Sequence, residues 1–343
     1  MKRGTPKRDV IVLLSAYNGA RYIEQQIASI QQQSFRDWTL VIRDDGSTDG
    51  TADVVRRITA ADPRVVLLPD SANNLGPWAS FGALLMHAEE RGADYVFVSD
   101  QDDVWVPQKM EMQLALLEAE AARSGSDYPV LVHSDMEIVD DELRTIHPSF
   151  SEHQRMSYYS ADPLRTLLIH NAIAGCTMAL NRPLLKAALP LPAGTYHDWW
   201  IALCAAGCGT ISCAPKPLVR YRQHQANVVG ADSRHSFFSS LVRHPLRFTR
   251  NAFAEFGVGV NQAVQLRNRL STLAAQGAGS VERVNQYCDA FAPGSSLMSR
   301  LRAFRDSAAR PQRAVSRAIM YAIIAAYPTF APHDVVVPQR RDH

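Results

Sequence analysis

The sequence predicts an α/β fold: a mostly parallel central sheet flanked by helices, followed by a helical extension toward the carboxyl end. Three observations carry this prediction. Continuous apolar runs alternate with segments of helical spacing over the first 120 residues. Polar clusters follow several of these runs directly. From Ser233 onward the chain contains fifteen Arg, no Lys and six Asp or Glu, a net charge of +9 in a chain whose total is +2.

Four apolar runs predict four strands, and the residues between and after them predict helices. The first run, VIVLLSA, has the uninterrupted apolar character of a strand covered on both faces. Asp49 is the predicted N-cap of the second helix, while Pro77 opens and Gly92 closes the third. The strands are predicted at 10–16, 38–43, 64–69 and 95–99, and the helices at 20–34, 49–62, 77–92 and 106–120. Repeated β–α–β units favour a parallel sheet, in which ligands bind at the carboxyl ends of the strands.

The pattern is looser after residue 120. Residues 129–141 predict a strand with a turn, 197–207 a helix with an acid at its start, and 209–224 short β structure. The remainder predicts helices broken near Pro245, near Gly277–Gly279 and at Pro293. We therefore divide the chain into an α/β domain, residues 1–232, and an Arg-rich helical extension, residues 233–343.

Composition excludes several classes of protein. Hydrophobic residues make up 46% and charged residues 20% of the 343 residues, which is typical of a globular protein. Five Cys, without a CxxC pair, argue against a disulfide framework and a zinc site and favour a reducing, cytoplasmic environment. The apolar run near the amino end is too short for a signal peptide or a membrane span. Nucleic acid is not an expected partner, because no recognisable binding module is present.

The stretch RDDGSTDGT follows the second predicted strand. Asp44 and Asp45 precede a Gly turn, and a carboxylate there can accept a hydrogen bond from a nucleobase imide N–H. The alternative is an ordinary strand–turn–helix junction, which is rich in Asp, Gly and Ser for conformational reasons. Tyr17 and Asn18 follow the first strand, where an aromatic ring can stack on a base or simply pack in the loop.

The stretch SDQDDVW follows the fourth strand and crowds three acids into four residues. Asp100, Asp102 and Asp103 would repel one another unless something compensates their charge. Mg²⁺ and Mn²⁺ prefer oxygen ligands and commonly take one or two carboxylates together with substrate phosphate. We therefore expect Mg²⁺ or Mn²⁺ here; a solvated acidic loop is the alternative.

These motifs, in this order and spacing, resemble the large family 2 of inverting, nucleotide-sugar-dependent glycosyltransferases with the GT-A fold. The resemblance covers roughly residues 9–230. The DQDDVW form, with HDWW and YRQHQANVVG later, is similar to the rhamnosyltransferase-like branch, whose members use dTDP-L-rhamnose to build bacterial surface polysaccharide such as O-antigen. The Arg-rich extension lies outside the resemblance.

The resemblance implies a role for each matching residue. Asp102 and the late His224 would hold the cation, and Asp198 of HDWW would be the catalytic base. The acceptor would lie near the side chains or backbone of Trp105, Gly175, Cys176 and Trp199. The nucleotide-sugar would contact Tyr17, Asn18, Asp44, Asp45, Asn74, Asp100, Gln101 and Asp103.

Each of these roles has a structural alternative. Asp198 is also a suitable acid for the amino end of the helix WWIALCAAG. His224 is equally compatible with a structural role in a loop. Of the adjacent Trp199 and Trp200, we expect one ring to stack on a sugar and the other to pack in the core. Arg220, Arg222 and Asn227, close to His224, are candidates for phosphate contact.

The function expected from the sequence is a metal-dependent inverting transferase that moves a sugar, L-rhamnose by preference, onto a polysaccharide or lipid-linked glycan. One alternative is a sister enzyme that uses a UDP-hexose; another is a non-catalytic scaffold subunit that binds nucleotide-sugar. In the extension, Arg alternates with apolar residues, which suits either helices on an anionic bilayer or helices packed on the first domain. The expected location is the cytoplasm, with peripheral contact to the inner membrane face.

Overall fold

The computed structural model describes residues 8–69, 74–154, 162–224, 245–273, 278–306 and 314–330. The strands in these ranges are β1 (Val10–Ala16), β2 (Thr39–Asp44), β3 (Val65–Leu67), β4 (Tyr95–Ser99), β5 (Val104–Trp105), β6 (Val130–His133), β7 (Met136–Val139), β8 (Thr145–His147), β9 (Ala179–Asn181), β10 (Thr210–Cys213) and β11 (Val219–Arg222).

The helices in the same ranges include the four that the sequence predicts in its first half. They are α1 (Ile23–Gln31), α2 (Thr51–Ala61), α3 (Pro77–Glu90), α4 (Lys109–Ser124), α5 (Phe150–Gln154), α6 (Pro163–Leu167), α7 (Arg182–Ala188), α8 (His197–Cys208), α9 (Pro245–Thr272), α10 (Ala278–Ala290), α11 (Leu297–Asp306) and α12 (Ala314–Phe330). A single 3₁₀ turn covers Gly175–Thr177.

The strands form two sheets. The larger has seven strands in the order β10-β6-β9-β4-β1-β2-β3, and the smaller has four in the order β5-β11-β7-β8. Strands β4, β1, β2 and β3 are parallel neighbours, as the β–α–β pattern predicts. Only β9 runs antiparallel in the larger sheet, between β4 and β6. The strands β1, β2 and β4, which are followed by Tyr17, by Asp45 and by the acidic stretch, therefore end along one edge, which gathers the polar clusters.

The uninterrupted apolar character of β1 has the expected cause. Its residues are almost all buried, with helices or other side chains on both faces. Pro77 occupies the first turn of α3, and Gly92, with φ 72°, follows the end of that helix, so both predicted boundaries are confirmed. The prediction that Asp49 is the N-cap of α2 is wrong, because the N-cap is Gly50. The side chain of Asp49 accepts hydrogen bonds from the backbone N–H groups of Ala20 and Thr51.

The chain divides into two compact units. The first contains Met1–Phe150, Ile173–Leu191 and Gly209–Arg222; the second contains Ser151–Ala172, Pro192–Cys208 and Gln223–His343. Both sheets belong to the first unit. The predicted boundary between residues 232 and 233 lies outside the described residues and stays a prediction.

The second unit is helical and includes α8, which the sequence predicts to be part of the α/β domain. Helix α8 belongs to the second unit because it packs against α9. The ring of Trp199 lies so close to Gly259 of α9 that a Cβ there would be 2.8 Å from its Cη2 atom. Gly207, the next-to-last residue of α8, similarly faces Leu266 and Leu270 of α9. Among the described helices, none combines the length and the apolar content that crossing a membrane requires.

Candidate active site

Three loops meet at the edge where β1, β2 and β4 end. They follow Ala16, Asp44 and Ser99, and they carry most of the predicted donor-side residues. Because β1 lies between β4 and β2 and is parallel to both, the register of the sheet alone brings the loops together.

Asn18 joins the first loop to the second. Its φ of 48° is a left-handed conformation that asparagine tolerates better than most residues. The side-chain Oδ1 atom accepts a hydrogen bond from the Thr48 N–H at 2.9 Å, and the Asn18 N–H donates to Ser47 Oγ at 2.9 Å. Gly19 adds a bond from its N–H to Thr51 Oγ1 at 2.8 Å. The amide of Asn18 therefore serves the architecture of the loops, and its predicted contact with the nucleotide stays a prediction.

Gln101 joins the first loop to the third. Its Oε1 atom accepts from the Tyr17 N–H at 2.8 Å, and its Nε2 atom donates to the Tyr17 carbonyl at 2.9 Å. Tyr17 itself is 37% exposed, as a ring that receives a ligand must be. Gln101, which lies between Asp100 and Asp102, thus fixes the backbone of Tyr17, the residue predicted to stack on the base.

Asp44 is buried at the end of β2 and shapes the turn that follows it. One carboxylate oxygen accepts from the Ser47 N–H at 3.2 Å, and the other accepts from the Ser47 hydroxyl. An ionised carboxylate offers about four acceptor sites, so these two bonds leave capacity for a base N–H.

Asp45 has a different environment. It is 2% exposed and forms an ion pair with the equally buried Arg43. Its two oxygens also accept from the N–H groups of Leu75 and Gly76 at 2.9 and 2.8 Å. Asp45 therefore holds the loop that carries Asn74, which is exposed. Its predicted proximity to the nucleoside is untested, but its bonding is that of a residue that positions a loop.

The acidic stretch contains two environments. Asp100 and Asp102 are partly exposed, whereas Asp103 is fully buried. Oδ1 of Asp103 accepts from the Arg222 N–H at 3.3 Å, and Oδ2 has no hydrogen-bond partner among the described residues. Burial, and then the charges of Asp102 and Asp100, raise the pKa of Asp103 well above its usual range. Burial and the two neighbouring carboxylates thus act in the same direction on Asp103.

The acidic stretch carries the type of ligand that a hard divalent cation prefers. Asp100 and Asp102 are partly exposed carboxylates after the end of β4, and Mg²⁺ and Mn²⁺ prefer oxygen ligands. Among the described residues, the ligand atoms that lie within 4.8 Å of one another are those of Asp100, Asp103 and Cys176, a group that does not include Asp102. Burial is the main cause that raises the pKa of the Cys176 thiol well above its ordinary value. The sulfur therefore stays protonated at neutral pH and is a poor ligand, so the carboxylates remain the candidates.

Lys109 is a buried cation whose charge interacts with Cys176 and Asp103. It is 0% exposed, and its Nζ atom donates to Gln113 Oε1 at 2.6 Å. Burial lowers the pKa of Lys109 to about 7, against a smaller opposing effect of Cys176 and Asp103. Nζ lies 4.7 Å from the ring centroid of Trp105.

The side chains predicted to lie near the acceptor are in the interior, and their roles stay predictions. Trp105 is 2% exposed and packs in the core beside Phe97. Gly175 and Cys176 are also buried, and they form a 3₁₀ turn rather than the start of a strand. The Cys176 sulfur lies 3.7 Å from Met136 Sδ, in the interior. The sequence does not reveal this burial, because a Gly-Cys pair before an apolar strand can be either buried or exposed.

Asp198, the predicted base, lies in the first turn of α8 in the second unit. Its Oδ1 atom accepts from the Trp199 N–H at 2.7 Å, and its Oδ2 atom accepts from Asn171 Nδ2 at 2.9 Å. The role at the start of α8 and the role of base are compatible, because these two bonds use two of the roughly four acceptor sites that a carboxylate offers. Asn171 was missed by sequence analysis, since no motif links residues 27 apart.

Trp199 and Trp200 are both core residues, which favours the alternative that an indole here packs in the interior. Trp199 is 2% exposed and its Nε1–H donates to the Leu167 carbonyl at 2.6 Å; Trp200 is 0% exposed. A fully buried indole requires a partner for its N–H, and Leu167 provides it.

The late polar stretch is only partly described. His224 is partly buried and belongs to the second unit, and its role as a cation ligand stays a prediction. Arg220 Nε lies 3.1 Å from Glu137 Oε2, which occupies this candidate phosphate contact. Arg222 is 1% exposed and bonded within the protein, so it is not placed to meet phosphate. Asn227 lies outside the described residues.

Comparison with known proteins identifies relatives of the chain. Residues 11–187 match the family described as Glycosyl transferase family 2. An uncharacterized glycosyltransferase of Nostoc sp. is 28% identical over 226 residues, 64% of this chain and 66% of that protein. The chain thus spans just under two thirds of this relative's length. The dTDP-rhamnosyl transferase RfbG of Shigella flexneri is 25% identical over 232 residues, 64% of this chain and 74% of that protein.

Two solved structures are similar in fold. S. aureus TarS in complex with UDP-GlcNAc has a TM-score of 0.51 at 15% identity, over 94% of this chain and 90% of that one. The mannosyltransferase PcManGT of Pyrobaculum calidifontis, in complex with GDP-Man and Mn²⁺, has a TM-score of 0.51 at 17% identity, over 94% of this chain and 86% of that one. Because these likenesses agree with the observed sheet, and because the family match covers more than half of the residues, the protein has the GT-A fold and belongs to glycosyl transferase family 2.

Proposed function

We propose that the protein is a metal-dependent inverting glycosyltransferase that moves L-rhamnose from dTDP-L-rhamnose onto a polysaccharide or lipid-linked glycan. The observation that carries the proposal is the union of the three loops, in which Gln101 and Asn18 tie an exposed Tyr17 to the acidic stretch and to the Asp44 turn. This arrangement supports a base on Tyr17 beside carboxylates that would hold a cation. The rhamnosyl donor is supported by the similarity to RfbG.

The donor half of the proposed site works through the chain's own residues. Tyr17 supports the base, Asp44 accepts its N–H, and Asp100 binds the ribose. Asp102 would hold Mg²⁺ or Mn²⁺. Such a cation neutralises the charge that develops on a departing diphosphate.

The acceptor half depends on Asp198. Its carboxylate accepts the proton of the acceptor hydroxyl while that oxygen forms its bond to the anomeric carbon and the bond from that carbon to the diphosphate breaks. The attack comes from the opposite side, which inverts the configuration. The hydrogen bonds from Asn171 and from the Trp199 N–H keep Asp198 oriented at the start of α8.

A lipid-linked acceptor would be reached more easily from a membrane surface. Leu297 and Met298, at the start of α11, are 45% and 68% exposed, and Arg302 and Arg305 of the same helix are also exposed. Apolar side chains beside arginines favour contact with anionic lipid headgroups. We include this peripheral contact in the proposal.

Binding of donor sugars tests the proposal directly. Calorimetry would compare dTDP-rhamnose with UDP-glucose, UDP-galactose and UDP-GlcNAc, each with Mn²⁺ and with EDTA. We expect binding of dTDP-rhamnose that requires Mn²⁺. Binding of a UDP-sugar instead would retain the transferase and overturn the rhamnose donor; failure of every donor to bind folded protein with Mn²⁺ would favour a non-catalytic scaffold.

Replacing Gln101 by leucine is expected to weaken donor binding by up to about 30-fold, which corresponds to about 2 kcal/mol. Leucine has a similar size but makes neither bond to the Tyr17 backbone, and two hydrogen bonds contribute about 1 kcal/mol each. The same calorimetry would measure the loss. Gln108→Leu is the matched control, because Gln108 is exposed before α4 and makes no such clamp; equal affinities for both variants would contradict the clamp.

A further inference from the structure

Arg222 is the last residue of β11 and one of the largest fully buried side chains, with 1% of its surface exposed. Taking a guanidinium out of water costs several kcal/mol unless its donors are satisfied. A residue that is kept there at such a cost has a specific set of partners, and those of Arg222 connect the acidic stretch to two other segments.

The first set of contacts is to the acidic stretch itself. Nε of Arg222 donates to the backbone carbonyl of Asp102 at 2.9 Å, and the backbone N–H of Arg222 donates to Oδ1 of Asp103 at 3.3 Å. One arginine therefore holds two consecutive residues of the loop, including the residue proposed as the cation ligand.

The second set of contacts anchors the other end of the guanidinium. Nη2 donates to Gln25 Oε1 of α1 at 2.7 Å, and Nη1 donates to the backbone carbonyl of Asp141. The guanidinium carbon lies 4.8 Å from the ring centroid of Tyr22, and the hydroxyl of Tyr22 donates to Asp141 Oδ1 at 2.9 Å. Arg222 is thus fixed by α1 and by the turn after β7 before it reaches the acidic stretch.

We propose that Arg222 is a positioning residue for the divalent cation. It fixes the backbone of Asp102, and so the direction of its carboxylate, and its positive charge reduces the repulsion among Asp100, Asp102 and Asp103. Lysine cannot replace it, because an ammonium is a point charge without the planar fork that reaches three acceptors in different directions. This inference rests on the proposed function, in which Asp102 holds the cation.

The test measures cation binding rather than turnover. Free Mn²⁺ would be quantified by electron paramagnetic resonance during titration of wild type and Arg222→Lys, with dTDP or UDP present. We expect the Mn²⁺ affinity of Arg222→Lys to fall about 10- to 100-fold, the usual effect of losing a residue that orients a metal ligand. Arg220→Lys is the matched control: it lies two residues away on the same strand, binds Glu137 and not the acidic stretch, and should keep the wild-type affinity.

The outcomes separate the inference from the proposed function. If wild type binds no Mn²⁺ with either nucleotide, the proposed function fails. If wild type binds Mn²⁺ and folded Arg222→Lys binds it equally well, Arg222 is a structural residue only and the inference is overturned. Should Arg222→Lys not fold, Gln25→Leu removes one anchor of the guanidinium at an exposed residue; a drop of about threefold supports the inference, and an unchanged affinity overturns it.

Discussion

Replacing Asp198 by asparagine is expected to lower kcat about 10³-fold while leaving the affinity for the donor unchanged, since loss of a general base typically costs 10²- to 10⁴-fold. Asparagine keeps the shape of the side chain and can still accept from the Trp199 N–H. It cannot take a proton from the acceptor hydroxyl. The measurement is release of nucleoside diphosphate from the donor that calorimetry identifies, with a lipid-linked glycan extract as acceptor.

Asn171→Ala is the companion variant for this prediction. It removes one hydrogen bond to Asp198 but leaves the carboxylate and its bond to Trp199. We expect a loss of about tenfold, in keeping with one charge-assisted bond of roughly 1.5 kcal/mol. Wild-type turnover by Asp198→Asn would show that this acid only stabilises the start of α8, which is the structural alternative that the sequence leaves open.

The order of strands and helices in the first half was predictable because each element is encoded locally. The apolar residues of Val10–Ala16 follow one another because both faces of that strand are covered, and Ile23, Ile27 and Ile30 repeat at helical spacing because one face of α1 is covered. The antiparallel insertion of β9 was not predictable. It depends on pairing with β4, more than 80 residues earlier, and no local pattern records such a partner.

The burial of individual side chains was the property that the sequence predicted least well. Trp105, Cys176 and Trp199 were expected to be near an acceptor, yet each is at most 2% exposed. An aromatic or thiol side chain after a polar motif is compatible with a ligand site or with the core, and the choice depends on what packs over it. For Trp199 that neighbour is Gly259, 60 residues later, whose missing side chain makes room for the indole.

Among the polar residues, too, local patterns were predictable and contacts between distant parts of the chain were not. Asp44 and the acidic stretch were found because a carboxylate at a strand's carboxyl end is a recognisable local pattern. Arg222 was found but given the wrong partner, since its bonds to Asp102 and Gln25 span 120 and 197 residues. Such contacts decide whether an arginine meets a phosphate or supports the loop beneath it, and they exist only in three dimensions.

Asp102→Asn is expected to abolish the dependence of donor binding on Mn²⁺ and to reduce kcat about 10³-fold. The amide has the size of the carboxylate but only a neutral oxygen for the cation. A cation at a developing diphosphate charge is worth several kcal/mol, and about 1.4 kcal/mol corresponds to tenfold in rate. Calorimetry with and without EDTA measures the first effect, and nucleoside diphosphate release measures the second.

Asp53→Asn is the control for this change of charge. Asp53 lies in the first turn of α2 with 80% of its side chain exposed, and its ion pair with Arg56 is worth at most about 1 kcal/mol in water. It should bind donor and Mn²⁺ as wild type does. If Asp102→Asn does so too, the cation is held elsewhere in the acidic stretch. Asp100 then becomes the candidate, because it is the other partly exposed carboxylate, whereas Asp103 is wholly buried and its charged form is disfavoured there.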